Sequence, residues 1–87
     1  MSSSPDATIA QLIREVLPRR MLRAPLSEDL SLREDLGIDS IGLMSLAFRL
    51  EEEFSIDLME HTEEVTSVRT VGDVQRLVRR IWTGSTL

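Results

Sequence analysis

At 87 residues, 41% hydrophobic and 29% charged, the chain is one small domain with an aliphatic core, since Phe48, Phe54 and Trp82 are its only aromatics. The lack of cysteine and the single histidine, His61, exclude disulfides, thiolate or multi-histidine metal sites and cysteine nucleophiles. Net charge is −5, yet residues 34–64 hold ten acids against Arg49 alone, which argues against nucleic acid and suits a solvated face or a partner with a basic patch.

No apolar run approaches the ~18 residues of a membrane span, and no apolar signal core opens the chain. The expectation is a single cytoplasmic domain over residues 1–87, monomeric, with flexible ends at 1–4 and 84–87. Ser4-Pro5 reads as a helix start, Ser4 capping and Pro5 at the first helical position. Ile9, Leu12, Ile13, Val16 and Leu17 then recur at helical spacing, and Pro18 stops the helix. Residues 18–31 form a long connection that Met21, Leu26 and Leu30 can pin to the core. Ser31-Leu32-Arg33-Glu34 has capping-box spacing and predicts a helical turn at 32–36, ended by Gly37 in the left-handed region.

Asp39-Ser40 caps the next helix, whose periodic stretch runs from Ile41 to Phe54. Ser55–Leu58 breaks it, and residues 59–66 hold a short acidic helical turn. Thr70 caps a last helix, with Asp73 three residues on, and Val71, Val74, Leu77, Val78 and Ile81 mark its buried face; it ends before Gly84. The predicted fold is all-α, a small bundle of three main helices plus one or two short turns.

The middle helix has two apolar faces. Taking Leu43 as zero, Leu46, Ala47, Leu50 and Phe54 fall within roughly 60°, a core stripe. Ile41, Met44 and Phe48 fall at about 160°, 100° and 140°, with Glu51 and Glu52 on the same side. This second stripe is either covered by the segment after Leu58 or left open for a partner. Ser40 has an ordinary reading as a helix cap. A serine hydrolase is disfavoured, because the Gly-x-Ser-x-Gly elbow is missing and nothing brings His61 to Ser40.

The run Asp35-Leu36-Gly37-Ile38-Asp39-Ser40-Ile41, followed by Leu43, Leu46, Leu50 and Glu51-Glu52-Glu53-Phe54, closely resembles the acyl carrier proteins. Thr70-Val71-Gly72-Asp73-Val74 is similar to the opening of that family's last helix. The resemblance implies that Ser40 carries 4′-phosphopantetheine through a phosphodiester, with Asp39 as the flanking acid. It implies no catalytic residue and no metal of the chain's own. Its partners would be a phosphopantetheinyl transferase and acyl-loading, ketosynthase or other synthase enzymes, docking on Ile41, Met44, Phe48, Glu51 and Glu52. Gly42 and Ser45 stand where many fatty-acid carriers have acids, which fits a discrete polyketide or hybrid natural-product carrier. Peptidyl and D-alanyl carriers, or a helical interaction module in which Ser40 only caps, are the alternatives.

Overall fold

Pro5 opens the first helix, α1 (Pro5–Glu15), where a missing N–H leaves no intrahelical bond unmade. Its expected cap, Ser4, and the expected flexible start at 1–4 lie outside the described residues, as do residues 86–87 of the flexible end expected at 84–87, whose residues 84 and 85 are helical instead: this computed structural model describes residues 5–85, and side chains to residue 82. Ile9, Leu12 and Ile13 are buried, as their spacing predicts. The helix ends at Glu15 rather than at Leu17. Val16 and Leu17 instead donate to Ile13 and Arg14, three residues back. Pro18 disfavours helical backbone at the residue before it, and the last turn tightens to 3-10 geometry.

The connection to the next helix has more structure than its sequence suggests. A 3-10 turn at Arg19–Met21 opens it. The Arg14 guanidinium then spans to the Leu22 and Ala24 carbonyls, both at 3.0 Å, tying the loop back to α1. Met21, Leu26 and Leu30 pack against the core as expected. The turn after Ser31 forms, without becoming an α-helix, and its capping box closes differently. The Ser31 hydroxyl accepts from the Glu34 N–H, but it is Asp35, not Glu34, whose carboxylate accepts from the Ser31 N–H at 2.7 Å. Gly37 adopts φ +73°, the left-handed stop expected of it, and Ile38 beyond it is buried.

Helix α2 (Ser40–Phe54) is followed by a 3-10 turn at Leu58–His61, a short helix α3 (Thr62–Thr66) and the long α4 (Val71–Ser85). Ser55 ends α2 in the left-handed region at φ 53°, with Ser55 and Ile56 N–H groups both donating to the Glu51 carbonyl. Helix α4 runs through Gly84 instead of stopping before it. A glycine costs at most ~1 kcal/mol in a helix, too little to end one by itself. Among the described residues the only β pairing is an isolated antiparallel bridge between Ser31 and Thr70.

Helix α1 packs on both α2 and α4. The core joins Ile9, Leu12 and Ile13 to Leu46, Leu50 and Phe54 and to Val71, Val74 and Val78, with loop residues Leu32, Leu36 and Ile38 filling the end near Ser40. Phe54 meets Trp82 edge-on at 5.4 Å.

The α4 cap is a reciprocal box. The Thr70 hydroxyl accepts from the Asp73 N–H, while the Asp73 carboxylate accepts from the Thr70 and Arg69 N–H groups and from Arg76. The Arg69 N–H first, then the Arg76 guanidinium, hold the Asp73 carboxyl below its ordinary value. A depressed carboxyl stabilises the fold at neutral pH, and that contribution is lost as pH falls through the folded value. Asp73→Asn should therefore cost about 1 kcal/mol at pH 7. The difference between wild type and variant should shrink below about pH 4. Urea midpoints across pH measure this, and a gap that stays constant into acid would count against it.

Candidate functional site at the start of the second helix

Three neighbours fix Ser40. Gly37 turns the chain, and buried Ile38 anchors it, its N–H donating to the Leu32 carbonyl at 2.9 Å. Asp39 is the cap: it sits in extended backbone and its carboxylate accepts from the Gly42 N–H at 2.8 Å. Ser40 is thus the first helical residue, exposed, and its hydroxyl has no hydrogen-bond partner among the described residues. The reading of Ser40 as a cap is corrected here, because the adjacent aspartate does that job. An exposed hydroxyl free of a structural role is open to modification. The unpaired N–H groups of the first turn favour an anion beside it.

The second apolar stripe is open. Ile41, Met44 and Phe48 are 74%, 61% and 62% exposed, and the segment after Leu58 does not cover them. Val65 of that segment packs against the core instead. Glu52 is exposed beside the stripe. Glu51 is engaged elsewhere. Its carboxylate turns back to accept from the Leu58 N–H at 2.9 Å, holding the loop after α2. Arg49, which interrupts the acidic side, pairs with Glu15 of α1 at 2.9 Å. His61 is engaged by Glu64 at 3.0 Å.

Sequence reasoning did not find the cavity on the other side of α2. It has a volume of about 680 Å³, is open on one side, and is bounded by Leu43, Leu46, Ala47 and Leu50 of α2, by residues 31–34, by residues 58, 65, 66 and 68–70 and by Val74 and Leu77 of α4. Ser40, Leu43 and Ala47 lie at i, i+3 and i+7, one row along the helix. With a rise of about 1.5 Å per residue, the α2 wall runs from about 4.5 to 15 Å beyond Ser40. By periodicity Leu43 and Ala47 are core-stripe residues, and only the structure shows that they stay partly buried.

A family model for the phosphopantetheine attachment site matches residues 7–78. The chain belongs to this phosphopantetheine-binding carrier family. An acyl carrier protein from Wolinella succinogenes is 37% identical over 68 residues, covering 76% of this chain and 87% of that protein. No solved structure is a significant match. The protein is a non-catalytic carrier of covalently attached 4′-phosphopantetheine, and the exposed hydroxyl at the head of α2, with open N–H groups around it, fits such a phosphodiester. Among the described residues there is no helix long and apolar enough to cross a membrane.

Proposed function

We propose that Ser40 is the attachment residue and that this carrier presents acyl groups to the synthase enzymes of a polyketide or hybrid natural-product pathway in the cytoplasm. The supporting observation is the Ser40 hydroxyl itself, exposed and unbonded at the first position of α2. The attached arm supplies a terminal thiol that holds acyl groups as thioesters. Asp39 fixes the helix start so that Ser40 is presented at a defined angle. Leu43 and Ala47, in line with Ser40, lead into the cavity, whose leucine and valine walls would take part of a bound acyl chain out of water.

Partners would dock on Ile41, Met44 and Phe48, an exposed apolar strip edged by Glu52. Charge complementarity with the acidic middle of the chain would speed encounter. Glu51 contributes to that potential while serving the Leu58 N–H.

Incubating apo-protein with coenzyme A and a promiscuous phosphopantetheinyl transferase should add one phosphopantetheine by intact mass. Ser40→Ala should gain none. Because Asp39 is the cap, that variant should keep its stability within about 0.5 kcal/mol. Addition to Ser40→Ala, or none to wild type across several transferases, would overturn the assignment.

A further inference from the structure

The cavity beside α2 is not uniformly apolar. Arg33 and Arg69 both line it. Their backbones are held side by side, since the Leu32 N–H donates to the Arg69 carbonyl at 2.9 Å and Ser31 bridges to Thr70. Both side chains are exposed, and neither guanidinium has an ion-pair partner among the described residues; Arg19, Arg20 and Arg23 share that state, but only Arg33 and Arg69 combine it with a place on the cavity. Glu34 also lines the cavity, one carboxylate against two guanidiniums. Asp73, which binds the Arg69 N–H, is already engaged by Thr70 and Arg76. Two guanidiniums against one carboxylate leave the cavity lining net positive in a chain of net charge −5.

We infer that the carrier is built for acyl chains with an apolar body and an anionic end, monothioesters of dicarboxylic acids longer than malonate. This rests on the attachment and cavity reading above. Leu46, Leu50 and Leu77 offer apolar wall to methylene groups. Arg33 and Arg69 offer charge-assisted hydrogen bonds to a carboxylate, which guanidinium geometry matches well. A malonyl group has a carboxylate but too little apolar body to use the walls, and a simple fatty acyl chain leaves the guanidiniums without a partner. If the arginines only covered the cavity with their aliphatic stems, they would be indifferent to a terminal charge.

Hexanoyl and adipoyl groups have equal chain length and differ by the distal carboxylate. Wild type, Arg33→Gln/Arg69→Gln and, as a charge control, Arg23→Gln are loaded by a transferase from the two acyl-coenzyme A thioesters. Intact mass comes first: no loading of wild type sinks the attachment reading, and this inference with it, before any comparison of chains. Thermal midpoints of the loaded proteins are then compared at low salt. The adipoyl form of wild type should melt above the hexanoyl form by several degrees, up to roughly 4–8 °C, the upper range for one added exposed ion pair in a domain this small. The gap should close in the double variant, persist in Arg23→Gln and narrow in high salt. A hexanoyl midpoint equal to or above the adipoyl one in wild type overturns the inference. So does a gap that survives in the double variant, or an equal drop of both acyl forms there, which would place the arginines on the arm or on the cavity lining.

Discussion

Leu50→Ala should lose roughly 2–5 kcal/mol of stability, while Met44→Ala should stay within about 0.5 kcal/mol of wild type. The two residues are on one helix and six positions apart, yet Leu50 is 4% exposed and Met44 61%. Truncating Leu50 removes apolar contacts on the core side and widens the cavity it lines. For a domain of this size, such a loss is a large share of the total. Truncating Met44 removes a side chain that touches mostly water. Alanine is a good helix former, so neither variant is confounded by lost helicity.

The functional ranking should be the reverse. With Ile41, Met44 and Phe48 as the surface that partners read, Met44→Ala should slow phosphopantetheine transfer at least several-fold at subsaturating carrier, since exposed apolar anchors carry much of an interface's energy. Leu50→Ala, assayed at a temperature where it remains folded, should retain most of its rate. Urea curves beside transferase rates give both orders. Equal destabilisation by the two variants, or a Met44→Ala rate equal to wild type, would move the docking surface elsewhere.

Much of this arrangement was legible in the chain because single helices declare their own faces. The two-sided pattern of α2, the left-handed Gly37 and the Thr70/Asp73 box are all local, set by residues within a few positions of each other. What was hidden depends on choices between equals or on distant segments. Asp39 and Ser40 are both good caps at adjacent positions, and only the hydrogen bond to the Gly42 N–H decides between them. Glu34 and Asp35 compete in the same way for the Ser31 N–H. Glu51 sits on the docking side by helix angle, but a loop N–H seven residues on captures its carboxylate. The cavity needs α2, the turn after Ser31, residues 65–70 and α4 to be placed together, and periodicity within one segment carries no record of that.

Gly42 shows how the structure can reverse a sign read from propensity. Glycine inside a helix costs up to ~1 kcal/mol relative to alanine, so sequence alone expects Gly42→Ala to stabilise α2. The structure expects the opposite, a net loss of about 1–2 kcal/mol, from overpacking and a weakened cap set against the propensity gain. A Cβ at residue 42 would stand 2.8 Å from the Ile38 Cγ2 and 3.3 Å from the Asp39 Oδ1. Ile38 is 2% exposed, and its β-branch is stiff, so the methyl cannot swing clear. Either Ile38 or the first turn of α2 must move, and movement there loosens the Asp39 cap and re-aims Ser40 between them. Ile38→Leu carries its branch one carbon further out and should open the space, at a cost below about 1.5 kcal/mol by itself. Gly42→Ala should therefore cost less in the Ile38→Leu background than in wild type, a coupling of about 0.5–1 kcal/mol in the double-mutant cycle. With Ser40 as the proposed attachment residue, transferase rates on the same four proteins should fall most for Gly42→Ala and recover in the double variant. A Gly42→Ala protein as stable as wild type, or a cycle with no coupling, would show that the contact with Ile38 is not what requires glycine here.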